Sequence, residues 1–258
     1  MKITYLGHSG FLVETKEHYL LFDYYTGKLP VFLPEKKLTV FVSHSHQDHY
    51  NKEIYALQNG QGGGLGKSGS ISAGDGARPG SADGRITYVL SKDIRRKRVE
   101  EFVGGENELL SVKAHETYRL YGDQMTVETL RSTDIGVAYL VTVAEEGGTY
   151  RFYHAGDLNL WKWEEESKAH NNNMEANFRR EMERIRGRHF DIAFVPLDPR
   201  QESFAFGGMD LFLETARADV VFPMHFWKQP EIIRKYLKAR PKVKNIVALK
   251  EEGRTYEF

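Results

Sequence analysis

Hydrophobic and polar positions fall mostly into short runs bounded by turn residues, with few long amphipathic stretches. Residues 2–6, 11–14, 19–22 and 39–42 read as strands, punctuated by Gly7, Gly10 and Asp23. A helix is predicted over 51–57, because Ile54 and Leu57 share a face and Asn51 suits its cap. Strand-like runs resume at 86–90, 109–112, 125–130, 137–143 and 150–153, and the basic stretch 95–98 opens a short predicted helix with a solvated face. Met174, Phe178, Met182 and Ile185 recur at helical spacing opposite Arg179, Arg180 and Glu183, which predicts an amphipathic helix with a core-facing stripe. A buried strand at 191–197, a helix at 211–216 and a strand at 220–222 follow. Pro230 suits the first turn of a helix reaching Leu237, and 246–249 and 255–258 close the chain as strands. Two strand-rich halves, each ending in helices, suggest an α/β fold of two sheets packed face to face with helices outside, a four-layer αββα sandwich that pattern alone does not fix. No repeat or linker interrupts it, so 1–258 reads as one domain.

Composition changes this picture at one place. Residues 59–84 are rich in Gly, Ser, Ala and Asp, too poor in apolar surface to join a core, and are expected to form a flexible surface excursion. The Gly66-Lys67-Ser68 stretch inside it is not a phosphate loop: Gln61 stands where that motif needs glycine, and no strand leads in. Lys plus Arg equals Asp plus Glu, so no global field favours nucleic acid or an anionic membrane. The chain has no cysteine, so any metal must sit on nitrogen and oxygen. No apolar run reaches transmembrane length and no secretory signal is visible, which makes the cytoplasm the expected location.

The candidate chemistry begins after residues 39–42. His44, His46, Asp48 and His49 concentrate imidazole and carboxylate at the end of a buried strand, the donors that hold zinc and similar ions. The pattern His-x-His-x-Asp-His resembles the signature of the metallo-β-lactamase superfamily. Further matches follow in the expected order. Gly7-His8-Ser9-Gly10-Phe11 looks like the opening of the branch that includes ascorbate-phosphate lactonases, and Asp23 like the acidic support of the first metal-binding loop. Ala155-Gly156-Asp157 resembles the segment of a metal-bridging aspartate, and Pro223-Met224-His225-Phe226 the final histidine motif.

The resemblance implies that His44 and His46 bind a first metal, Asp48, His49 and His225 a second, and that Asp157 spans both. It implies a water acidified at the metal attacking a carbonyl or phosphoryl centre, with Asp48 and Asp157 as catalytic carboxylates. One family element is absent. No histidine occurs between His115 and His154, where the first metal normally takes its third imidazole. Ser132 or Asp134 through oxygen, or His115, are the candidate replacements. For Asp134 the favoured reading is that it turns outward and shapes the turn before Gly136.

Other residues have weaker claims. His8 and His154 are expected to support the site rather than bind metal, His154 because strand alternation places it opposite Asp157. His18, His170 and His189 lack a motif and are expected at the surface or in loops. Asp198 and Arg200 follow a buried strand and suit a polar substrate, Arg200 a phosphate or carboxylate; an ion pair holding the loop is the alternative. Trp161, Trp163 and Trp227 are expected as pocket walls or core. The resulting expectation is a metal-dependent hydrolase with one or two divalent ions, zinc first and manganese or iron next, acting on a small anionic ester, lactone or phosphoester. A metal-binding protein with a structural or regulatory site is the alternative, and a nuclease a further one, disfavoured by zero net charge.

Overall fold

The computed structural model describes residues 1–59 and 85–258, and the glycine-rich stretch beyond Asn59 lies outside the described residues. The chain divides into two compact units, Met1–Ser111 with Glu251–Phe258, and Val112–Lys250.

The first unit is built on β1 (Lys2–Gly7), β2 (Gly10–Glu14), β3 (His18–Phe22), β4 (Lys37–Val42), β5 (Ile86–Ser91) and β6 (Glu108–Val112). With the C-terminal β13 (Thr255–Glu257) they form one sheet in the order β13-β1-β2-β3-β4-β5-β6. Strands β1 to β3 pair as antiparallel neighbours, whereas β3, β4 and β5 run parallel. Strand β4, flanked on both sides, is buried from Leu38 to Val42, which is why it reads as a continuous apolar run. Leu21, Val40, Ile54, Tyr88 and Leu90 share one core cluster. The predicted helix after the histidine cluster is a 3₁₀ helix, Lys52–Asn59, with Asn51 accepting from Glu53 N. The helix expected after Arg95 shrinks to a 3₁₀ turn, Arg96–Arg98.

The second unit holds a six-stranded sheet, β12-β11-β10-β9-β8-β7. Its strands are β7 (Thr117–Leu120), β8 (Met125–Arg131), β9 (Val137–Glu145), β10 (Gly148–His154), β11 (His189–Pro196) and β12 (Arg217–Met224). Strands β7 to β10 are antiparallel, and β10, β11 and β12 run parallel. Its helices are α1 (Lys168–Glu183), α2 (Gly207–Thr215) and α3 (Glu231–Ala239). Ser167 caps α1 by accepting from His170 N, so the helix begins before its apolar stripe does. Asp210 of α2 accepts from Tyr236 and Arg240, tying α2 to the end of α3.

Two expectations need correcting, and one strand was not foreseen. The run at 246–249 is not a strand: Ile246 makes one isolated bridge to Val221, after which Leu249 N–H turns back to Val247 O. Strand β7 was not legible, because its four residues alternate between exposed and half-buried with only Tyr118 and Leu120 as apolar markers. His18 is not a surface residue. It is fully buried at the start of β3, where Thr15 N–H donates to its carbonyl and its own N–H donates to Thr15 Oγ1. Among the described residues no helix is long and apolar enough to cross a membrane.

Candidate metal centre

Parallel pairing decides where the chemistry sits. Ligands in open α/β sheets gather beyond the carboxyl ends of parallel strands, and both units follow that rule. In the first unit β3 and β4 end side by side, with Phe22 beside Phe41 and Asp23 N–H donating to Phe41 O. Asp23 therefore lies beneath the loop that carries the histidines.

Asp23 is fully buried, and its carboxylate is spent on that loop. Oδ1 accepts from Ser43 N at 2.7 Å, and Oδ2 accepts from Ser43 Oγ at 2.6 Å and His49 Nδ1 at 2.7 Å. A carboxylate only accepts, so the Ser43 hydroxyl proton points at Asp23. His44 Nδ1, 2.9 Å from the same Ser43 Oγ, must then be the protonated nitrogen of its ring. In both His44 and His49 the lone pair is thus on Nε2. His44 packs its ring 4.6 Å from His46 and 4.2 Å from His49. His8 Nε2 approaches Asp48 Oδ2 at 3.2 Å, so His8 touches a candidate ligand directly. Burial pushes the Asp48 carboxyl up, but the hydrogen bond from His8 and the charges of His49 and His8 outweigh it and hold it well below the usual carboxylate range.

In the second unit β10, β11 and β12 end at His154, Pro196 and Met224, and each is followed within three residues by a candidate: Asp157, Asp198 and His225. Gly156 turns the chain after β10 at φ +51°, where glycine is unstrained. The strand has already ended, so the alternation expected for His154 does not extend to Asp157. His154 is instead buried beneath the turn, its Nδ1 accepting from Gly156 N at 3.2 Å.

Asp198 is fully buried and accepts from His225 Nδ1 at 2.8 Å and from Arg200 Nη2 at 2.5 Å. Burial raises its carboxyl, but the hydrogen bonds from His225 and Arg200 prevail and bring it down to about 2. With Nδ1–H given to Asp198, His225 turns the lone pair of Nε2 toward Asp157 Oδ1, 3.3 Å away. Two acceptors facing each other repel unless a proton or a cation lies between them. A carboxylate that accepts from the other ring nitrogen is the usual outer support of a metal-binding imidazole. The donor set in each unit therefore fits a divalent ion.

Asp157, His225, Arg200, Asp134, Trp161 and Trp163 are among the residues lining a cavity of about 350 Å³ in the second unit. Arg200 is 47 % exposed while its partner is buried, so the cavity meets the cation of the pair. Sequence reasoning paired Asp198 with Arg200 but did not find the bond from Asp198 to His225. Thr133, Glu166, His170 and Met174 also line the cavity without having been singled out for it, His170 having been expected only at the surface or in a loop. Of the replacements for the absent histidine, His115 Nε2 is engaged by Glu181 at 2.8 Å, Ser132 Oγ accepts from Asp134 N at 3.1 Å, and Asp134 lines the cavity.

Comparison with known proteins bears on the family and the fold. A model of the Beta-lactamase superfamily domain matches residues 2–225. The UPF0173 metal-dependent hydrolase YtkL of Bacillus subtilis is 27 % identical over 242 residues, covering 90 % of this chain and 88 % of the relative. Among solved structures, Igni18, a metallo hydrolase from the archaeon Ignicoccus hospitalis, superposes with a TM-score of 0.57 at 19 % identity, covering 100 % of this chain and 98 % of that one. The metallo-beta-lactamase fold protein YhfI of Bacillus subtilis gives 0.56 at 14 % identity, over 99 % and 98 %. The fold is thus of the metallo-β-lactamase-like α/β class. The chain belongs to the β-lactamase superfamily, and its expected standing as a hydrolase agrees with the names of these relatives.

Proposed function

We propose that this protein is a metal-dependent hydrolase acting on a small anionic ester, lactone or phosphoester, with zinc as its ion and the cytoplasm as its location. The supporting observation is the pairing of oriented imidazoles with carboxylates: His49 tied to Asp23, and His225 tied to Asp198 with its other nitrogen facing Asp157. In this reading His44, His46, Asp48 and His49 of the first unit, and Asp157 and His225 of the second, hold divalent metal. Nitrogen and oxygen donors without thiolate suit zinc, with manganese or iron as substitutes.

A bound ion would acidify a water toward a pKa of about 7 and polarise the scissile oxygen. The chain's own groups do the rest. Asp23 and Asp198 keep the Nδ1 protons of His49 and His225 in place, so both rings present Nε2. Trp161 Nε1 donates to the carbonyl of Asp157 at 2.8 Å and fixes the turn that carries this carboxylate. Asp48 and Asp157 are the catalytic carboxylates of this reading, with Asp157 as the general base that accepts and returns the proton of the attacking water. Arg200, held by Asp198, receives the negative charge of the substrate.

The absent third histidine favours a second reading, a metal-binding protein whose site is structural or regulatory; Asp134, lining the cavity, is the oxygen donor proposed for that position. One experiment separates the readings. Purified full-length protein is assayed for bound metal by elemental analysis and for hydrolysis of carboxylic esters, lactones and phosphodiesters. Metal with hydrolysis supports the enzyme, and metal without hydrolysis of any of the three supports the second reading. Metal content unchanged in a His49→Ala, His225→Ala double variant would refute the ligand assignment. Turnover confined to phosphodiesters of RNA would point to a nuclease.

A further inference from the structure

All three tryptophans of the chain belong to the surroundings of one cavity. Trp161 and Trp163 line it with their indoles nearly parallel, 6.1 Å between centroids and 6° between planes. Trp227 carries the guanidinium of Arg200 over its ring at 5.0 Å. This wall is braced by buried polar groups. The amide side chain of Asn171, on α1, accepts from Trp163 N at 3.0 Å and donates to Trp163 O at 2.8 Å, so one buried residue holds both backbone groups of Trp163. Gln201 donates to Leu160 O at 2.6 Å and accepts from Asn159 Nδ2 at 2.9 Å, fixing the segment that leads to the two indoles.

A core tryptophan needs no such frame, because burial alone orients it. Trp163 stays only half-buried and lines the cavity, so part of its indole is left for a guest. A rigid, partly open indole is preorganised for a flat guest, since little ordering entropy is left to lose on binding. Trp161 also stands 5.1 Å from the ring of His225, so a guest on this wall lies next to the candidate reacting groups. The charges restrict the guest further. Arg200 attracts an anion, while Asp134, Asp157 and Glu166 in the same lining oppose a polyanion.

We propose that this cavity is a subsite for a planar aromatic group bearing a single negative charge, the ring against Trp163 and the charge on Arg200. Resting on the hydrolase reading, this makes the substrates esters or lactones that carry, apart from the scissile bond, an aryl group with one free carboxylate. The binding itself is independent of that reading.

The test follows the three indole N–H signals of nitrogen-labelled full-length protein in two-dimensional proton–nitrogen spectra, assigned with single Trp→Phe variants. Phenylacetate, cyclohexylacetate and acetate are titrated in turn. Phenylacetate should shift the signals of Trp163 and Trp227 and bind about tenfold more tightly than acetate. Trp163→Ala should erase that preference, Trp163→Phe should keep most of it, and Arg200→Met should weaken phenylacetate about tenfold. Equal affinity for phenylacetate and acetate would overturn the subsite. A preference surviving in Trp163→Ala, or in Trp163→Leu should the alanine variant not fold, would do the same. Cyclohexylacetate binding as well as phenylacetate would overturn the planar requirement, and unchanged affinity in Arg200→Met the anionic one. Failure of the hydrolase reading would appear separately, as a protein that binds phenylacetate but hydrolyses no ester.

Discussion

Several residues that carry the chemistry hold left-handed backbone. His8, Asp23, His225 and Trp227 have φ of 50°, 42°, 64° and 52°, a region costly for residues with a side chain. Such strain persists only where the surroundings over-determine it. At Asp23 the surroundings are three hydrogen bonds to one buried carboxylate. Asp23→Ala would leave Ser43 N–H and the His49 ring proton buried without their acceptor. It should destabilise the protein by roughly 3 kcal/mol in urea unfolding, each orphaned donor costing about 1–3 kcal/mol. At Asp198 the consequence is functional. Asp198→Asn retains the shape but loses the charge that holds the His225 proton on Nδ1, so metal affinity should fall about 10–100-fold. Competition with a chromophoric chelator measures this, and an unchanged affinity would remove Asp198 from the site. The histidines themselves were legible because their spacing is local. The bond between Asp198 and His225 was not, because it crosses 27 residues of chain.

Among elements, strand direction is the decisive variable. The apolar runs that became β4, β10, β11 and β12 were readable, but a run of apolar residues carries no sign of parallel or antiparallel pairing. Only the pairing brings the ends of β10, β11 and β12 to the same edge, where Asp157, Asp198 and His225 follow. The start of α2 shows how closely the loop after β10 is packed. A Cβ on Gly208 would fall well inside contact distance of Asn159 Oδ1. Gly208→Ala should therefore push Asn159 off Gln201, loosen the segment bearing the two indoles, and cost about 1–3 kcal/mol, the usual range for overpacking. A lowered melting temperature with weakened binding of aryl carboxylates is expected; an unshifted melting curve would show that the loop yields without strain.

At the scale of the whole molecule, metal and stability are linked. An ion that binds only the folded chain stabilises it by about 2.7 kcal/mol at a hundredfold excess over its dissociation constant. Zinc should thus raise the melting temperature by several degrees and a chelator should reverse the gain, as read by calorimetry. The His49→Ala, His225→Ala double variant should show neither response. A zinc response retained in that variant would place the ion elsewhere.

The amino-acid sequence by itself determined the strand-rich α/β character, the donor chemistry without thiolate and the cluster from His44 to His49. Each depends on neighbours within a few residues. Tertiary structure alone decided that His18 is buried, that 246–249 leaves the sheet after one bridge, and that His115 is taken up by Glu181. It also decided that Asp198 stands behind His225 and that Trp161, Trp163 and Arg200 share one cavity. Proton positions on imidazoles and the walls of a cavity are set by partners tens of residues away. Local pattern names the groups able to do the chemistry, while the pairing of distant strands determines which of them meet.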